Sequence, residues 1–111
     1  MGKFVISRRF NQDYQFNLKA SNNQIILTSE GYRSKEGCIN GIEAVKKYSN
    51  DDSKFDRRSS RNGNGYYFVL KAQNGEIIGT SEMYQSENGM ENGIESVKYN
   101  APDAIMEDFT L

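Results

Sequence analysis

The chain has 111 residues, of which 36% are hydrophobic and 26% are charged, and its formal net charge is −1. A membrane-spanning helix is excluded because no apolar run approaches about 18 residues, and the near-neutral charge argues against a dedicated duplex-binding protein. The single cysteine cannot form an internal disulfide and no secretory signal is visible at the N-terminus, so we expect a cytoplasmic location without membrane contact.

The first thirty residues predict three β-strands. Apolar Phe4, Val5 and Ile6 lie at the centre of a strand over residues 3–9. Residues 14–20 alternate between apolar and polar side chains, which is the period of a half-buried strand. Residues 25–28 are mainly β-branched and apolar and predict the third strand.

A helix is predicted after the third strand. Cys38, Ile42 and Val45 recur at the i, i+4, i+7 spacing of one apolar helix face, and Ser34 lies where an N-cap is expected. Gly41 falls inside this helix, where glycine costs about 1 kcal/mol relative to alanine, so we expect a close approach between helix and sheet. The equivalent positions further along the chain hold Ser86, Met90, Gly93, Ile94 and Val97.

The second half of the chain repeats the first. Residues 14–49 align with residues 66–101 without a gap, and 20 of the 36 aligned positions are identical. Asn74 and Gly75 separate two apolar runs of the second copy and predict a tight hairpin of type I′. The first copy has Asn23 in place of this glycine, so we expect Asn23 to adopt a positive φ.

The two copies predict one domain over residues 1–111, made of a first repeat of about 3–53 and a second of about 54–111. Each repeat is too short to bury enough surface by itself. Pro102 ends the second helix. Residues 104–109 have the composition of a short last strand, but the segment is also acidic and terminal, so a disordered tail is the alternative. The predicted fold is therefore α+β, with an antiparallel sheet and both helices on the face that bears Phe16 and Leu18.

The repeated motifs resemble the YegP-like proteins, a bacterial family of uncharacterised function. They are (Phe/Tyr)-x-Phe-x-Leu-Lys-Ala (14–20 and 66–72), Asn-Gly-x-Ile-Ile (74–78), Thr/Ser-Ser-Glu-x-Tyr (28–32 and 80–84) and Gly-Ile-x-Ser-Val-Lys (93–98). The first copy departs from them at Asn23, in place of glycine, and at Ala44, in place of serine. The resemblance covers residues 3–99. It implies two tandem β3-α-β units in one largely antiparallel sheet, with the C-terminal strands of the units exchanged, and it brings no activity, cofactor or catalytic residue with it.

Residues suited to catalysis are few. The chain has no histidine, which removes the commonest general base and metal ligand. Cys38 is replaced by methionine in the second copy, so we interpret it as a buried core thiol. The repeated carboxylates are interpreted as surface or helix-end charges, and no catalytic, cofactor-binding or metal-binding residue is predicted. These carboxylates are Glu30, Glu82, Glu43 and Glu95.

A candidate binding surface is predicted on the sheet face away from the helices. Lys19 and Lys71 point away from the apolar side of their strands by alternation, and arginines of neighbouring segments fringe this face. An open sheet with cations and aromatic rings can hold a polyanion, although lysine on a solvent face is the ordinary case. The candidate residues are Lys19, Lys71, Tyr67, Asn17, Gln15, Arg57 and Arg58.

Three functions follow from these observations, in order of preference. The first is a small non-catalytic binding or protein-interaction module, with self-association through Tyr67 and Val69 as one form of it. The second is binding of nucleic acid or another polyanion on the exposed sheet face. The third is an enzyme that uses the repeated carboxylates, which only a desolvated pair would support.

Overall fold

The repeated motifs build the same elements twice. A computed structural model of the chain describes residues 2–111, and its α+β architecture confirms the predicted fold class. A short 3₁₀ helix, Asp52–Lys54, joins the two copies. The elements are β1 (Lys3–Arg8), β2 (Tyr14–Lys19), β3 (Ile25–Thr28), α1 (Lys35–Tyr48), β4 (Phe55–Ser59), β5 (Tyr66–Lys71), β6 (Ile77–Thr80), α2 (Glu87–Asn100) and β7 (Ile105–Asp108).

All seven strands form one sheet in the order β4-β5-β6-β3-β2-β1-β7. Every neighbouring pair is antiparallel except β1 and β7, which are parallel. The two repeats meet at a short seam, where β3 and β6 pair at Thr28 and Thr80. β7, the strand after the second helix, pairs with β1 of the first repeat, whereas β4 pairs with β5 inside the second repeat, so one C-terminal strand crosses to the other repeat.

The core lies between one face of the sheet and the two helices. Strand residues that alternate toward this face include Phe16 and Leu18 of β2, and these are fully buried with the apolar stripes of both helices. Each helix contacts strands of both repeats, α1 contacting β2 and β6, and α2 contacting β5 and β3. The two repeats therefore complete one shared core, and the helices lie on the predicted face.

The helix starts agree with the sequence, but the helix glycines have a different reason than expected. Ser34 accepts a hydrogen bond from the Gly37 N–H at 3.0 Å, as an N-cap does. A Cβ on Gly41 would lie 2.7 Å from the Cζ atom of Tyr32. The predicted close approach to the sheet is therefore an approach to a tyrosine side chain that follows β3, and Gly93 and Tyr84 repeat it.

The hairpins have the predicted positive φ but not the predicted type I′ geometry. Asn23 and Gly75 have φ values of 73° and 87°, whereas the residue before each is not in the positive-φ region. The Asn23 N–H donates to the Ala20 carbonyl at 2.8 Å, which closes a type I turn, and Ala20 N–H donates to the Gln24 carbonyl at 2.9 Å. This is a three-residue loop in which only the last residue is left-handed, as in hairpins with a bulge.

Candidate functional site

The face of the sheet opposite the helices, called the open face below, carries a continuous row of residues across all seven strands. Strand register fixes the row, because directly opposed residues point to the same side of a sheet. The apolar members are themselves shielded, with Val69 2% and Val5 6% exposed. The row is Asp56, Val69, Thr80, Thr28, Asn17, Val5 and Glu107.

Lysines stand beside this row in both repeats. Lys19 lies directly opposite Lys3 on β1, and like charges in such a pair destabilise a sheet. The Lys3 ammonium is 3.6 Å from a Glu107 carboxylate oxygen, but Lys19 has no ion-pair partner within residues 2–111. The first repeat therefore presents an uncompensated cation at its centre.

In the second repeat each cation beside the row has a carboxylate partner. Asp56 replaces the Val5 of the first repeat and lies 2.9 Å from the Arg58 guanidinium and 3.3 Å from the Lys71 ammonium. Hydrogen bonding to Arg58, and then to Lys71, lowers the pKa of the Asp56 carboxyl below its ordinary value. Arg58 also lies opposite Tyr67, so the predicted residues Arg58, Lys71 and Tyr67 do share the open face.

Arg57 does not belong to this surface, and its predicted place there is wrong. It lies opposite the buried Phe68 and therefore points to the helix side. Its guanidinium binds both carboxylate oxygens of Glu91 on α2, at 2.5 and 3.0 Å, and Asp52 at 3.1 Å. These hydrogen bonds raise the pKa of Arg57, the bonds to Glu91 contributing most.

Gln15 and Asn17 both lie on the open face, and Asn17 is the nearer of the two to Lys19 along β2. Asn17 sits in the central row, while the Gln15 side chain accepts a hydrogen bond from the Arg9 Nε at 2.8 Å. Arg9 also donates to the Ser29 carbonyl at 3.1 Å, so its guanidinium is held in place. Sequence reasoning did not name Lys3 as a site residue, although alternation from the buried Phe4 places it on this face.

The residues considered for catalysis lie apart from this face. Cys38 is fully buried in the core, as predicted, and burial raises the pKa of its thiol to about 11. The repeated carboxylates are solvent-exposed, and Glu95 contacts Lys98 at 3.2 Å. Within residues 2–111 no group of three or more metal-ligating side chains comes together. No helix in this part of the chain has the length and apolar character to span a membrane.

Comparison with known proteins finds close relatives over almost the whole chain. Residues 11–56 and 62–108 each match the domain of unknown function DUF1508. The chain is 48% identical to the UPF0339 protein in the ptx operon 5′ region of Stutzerimonas stutzeri, covering 93% of this chain and 92% of the relative. It is 43% identical to the UPF0339 protein YegP of Yersinia pestis, covering 100% and 98%.

Two solved structures share this architecture. The solution NMR structure of the protein of unknown function YegP from E. coli has a TM-score of 0.92 at 39% identity, covering 97% of this chain and 92% of that one. The UPF0339 protein SO3888 from Shewanella oneidensis has a TM-score of 0.90 at 41% identity, covering 96% and 90%. Both likenesses extend over the two repeats and the shared sheet.

Proposed function

We propose that this chain, which belongs to the DUF1508 family, is a small non-catalytic binding module that holds an acidic protein segment on its open face. Family membership confirms the resemblance to the YegP-like proteins, whose relatives here are of unknown function. The proposal therefore depends on the surface itself. The single observation behind it is Lys19, an unpaired cation directly opposite a second lysine.

The charge arrangement supports an anionic ligand. Lys3 and Lys19 repel one another across the strand pair, and a carboxylate between them would relieve that repulsion. Asn17 is the member of the central row that lies on the same strand as Lys19, and its amide can donate and accept hydrogen bonds. These groups are partly exposed, so each contact is weak singly and the partner's affinity is salt-dependent.

A protein segment fits the face better than a nucleic acid does. Single-strand-binding sheets stack bases on several aromatic rings, and Tyr67 supplies one ring among the named residues of this face. Val69 is too well shielded to offer a partner much apolar area, so the self-association form of this proposal has little support from it.

The test is an NMR titration of the ¹⁵N-labelled protein with a short capped peptide of alternating glutamate and alanine. We expect saturable shifts at the amides of Asn17 and Lys19. Lys19→Glu should weaken binding about fivefold or more, whereas the matched variant Lys71→Glu should weaken it about twofold, because Lys71 already pairs with Asp56. Equal effects of the two variants, or shifts confined to other surfaces, would contradict the proposal.

Nucleic-acid binding is the second candidate, and the opposed lysines beside Asn17 favour it. An electrophoretic shift of a single-stranded oligonucleotide at low salt would reveal it, because phosphate contacts weaken steeply with salt. The shift should be lost in the double variant Lys19→Glu/Lys71→Glu. The absence of a shift at micromolar protein would end this candidate and leave the first one in place.

A further inference from the structure

A cleft of about 690 Å³ lies on the helix side of the molecule, between α1 and the hairpin that joins β5 to β6. Its volume falls in the range of ordinary ligand sites, about 300–1,000 Å³. The α1 wall is made entirely of small residues and one amide, which lets another chain approach the helix backbone. These residues are Gly37, Asn40, Gly41 and Ala44.

The other side of the cleft combines apolar lining with negative charge. Ile77 and Ile78 contribute apolar lining, and Glu30 and Glu76 also line the cleft. Both glutamates are solvent-exposed, and neither forms an ion pair in the part of the chain that the structure describes. Glu76 is held in place, because its carboxylate accepts a hydrogen bond from the Asn74 amide at 2.9 Å.

Tyr32 is a residue of the cleft that interacts electrostatically with both glutamates. Its side chain lines the cleft and lies against Gly41. Burial raises the pKa of the Tyr32 hydroxyl, and electrostatic interaction with the Cys38 thiol and with the carboxylates of Glu30 and Glu76 raises it further. The charges of Glu30 and Glu76 therefore both reach the Tyr32 hydroxyl, although Glu30 precedes α1 and Glu76 follows the β5–β6 turn.

The helix of the second repeat borders the matching cleft, which lacks the same charge. This cleft lies between α2 and the β2–β3 hairpin and has a volume of about 190 Å³. Its helix wall is again small, with Gly89, Asn92, Gly93 and Ser96. Gln24 takes the place of Glu76, and Glu82, the counterpart of Glu30, is not part of the lining. The chain thus carries its own control for the larger cleft.

We propose that the α1 cleft binds an extended peptide segment through a lysine or arginine side chain of that segment. The small α1 wall admits a peptide backbone, and the exposed Asn40 amide offers it a donor and an acceptor. The carboxylates of Glu30 and Glu76 select a cation by charge complementarity. This site is separate from the open face and requires no part of the function proposed above.

The experiment is an NMR titration with a short capped peptide of alternating lysine and alanine. We expect saturable shifts at Asn40, Gly41 and Gly75, with the double variant Glu30→Gln/Glu76→Gln binding about tenfold more weakly. The matched control Glu82→Gln should bind as the parent does. All these side chains are exposed, so the variants should keep the dispersed spectrum of the folded chain.

A gain-of-function variant makes the test stricter. Gln24→Glu adds to the α2 cleft the carboxylate that it lacks and should produce new peptide-dependent shifts at Asn92 and Gly93. The proposal is overturned if the parent shows no shifts at millimolar peptide, or if the alternating glutamate peptide shifts the same amides. Unchanged affinity in the Glu30→Gln/Glu76→Gln variant would also overturn it. Lys19→Glu should leave this binding intact, which separates the outcome from that of the open face.

Discussion

The first strands of the two repeats show how one sequence pattern adapts to two environments. β1 lies between β2 and β7, whereas β4 pairs with β5 alone and forms an edge of the sheet. Ile6 of β1 is fully buried, and Ile39 of α1 packs against the core. The equivalent positions in the second repeat hold Arg57 and Glu91, which bind one another.

Two apolar positions of the first repeat have thus become an ion pair where the sheet ends. Exposed edges invite pairing with other chains, and charged side chains on the edge discourage it. The same divergence occurs on the open face, where Val5 of β1 is replaced by Asp56 of β4. Positions with equal surroundings, such as Phe16 and Phe68, are identical in the two repeats. The repeats therefore differ where their strands meet different neighbours.

The largest expected effect concerns the seam, where the two repeats must differ to fit together. Leu27 is fully buried, and a Cβ on its counterpart Gly79 would lie 2.6 Å from the Leu27 Cγ. Leu27→Ala should lower the free energy of unfolding by about 2–5 kcal/mol, because it removes buried methyl groups and leaves a cavity. Urea denaturation followed by circular dichroism measures this change.

The exchanged variant Leu27→Gly/Gly79→Leu sharpens the seam prediction. It restores the total side-chain volume with the repeats' roles reversed, and volume-conserving changes are tolerated best. We expect it to be more stable than Gly79→Leu, which crowds the seam, and less stable than the parent. A double variant no more stable than Gly79→Leu would show that the two positions do not compensate each other.

A smaller effect on stability, but a clear one on association, is expected at the β4 edge. Replacing Arg57 and Glu91 by isoleucine imitates the pair at Ile6 and Ile39. Because the ion pair is exposed, the free energy of unfolding should change by about 1 kcal/mol or less. The apolar edge should instead promote self-association, which light scattering coupled to size-exclusion chromatography would detect.

The charge-preserving variant Arg57→Lys/Glu91→Asp is the control for this edge. It should elute with the parent at all concentrations, since both charges stay at the end of the sheet. If the isoleucine pair also elutes as the parent does, charge is not what protects β4. In that case the difference between β1 and β4 has another cause.

The duplication made most of the fold predictable, because each copy supports the reading of the other. Strand alternation, the helix stripe and the serine caps are local patterns, and all of them appear in the structure. The side to which Arg57 points was misjudged, although Phe55 two residues earlier is buried and shares its face. Its partner Glu91 lies 34 residues away, beyond the reach of local patterns.

The clefts were not predicted at all, since each joins a helix of one repeat to a hairpin of the other. The predicted type I′ turn was also wrong. Asn-Gly allows a positive φ at both residues, whereas these hairpins contain a register shift, after Leu18 and after Leu70, and have a positive φ only at the last loop residue. Both halves of the open face carry lysines, so the presence of cations does not distinguish them. Only the three-dimensional structure shows that Asp56 pairs with the cations of one half, while Lys19 of the other half has no ion-pair partner within residues 2–111.

The smallest expected effect is local and concerns β7, the strand that makes β1 an interior strand. Asp108 binds the Lys35 ammonium at 2.7 Å and Thr110 at its N–H, 2.8 Å away. These bonds lower the pKa of the Asp108 carboxyl from 3.8 to about 2, and the bond to Lys35 contributes most. A carboxyl with a lowered pKa in the folded state stabilises that state above its ordinary pKa and stops doing so as it is protonated.

Between pH 4 and pH 2 we therefore expect β7 to loosen from β1 before the rest of the sheet opens. Hydrogen-exchange protection factors should fall first at the Phe109 N–H, which donates to the Ile6 carbonyl at 3.0 Å. In Asp108→Asn this protection should already be low at pH 6 and show no acid step. Equal protection of β7 in both proteins down to pH 2 would mean that the backbone pairing holds the strand without Asp108.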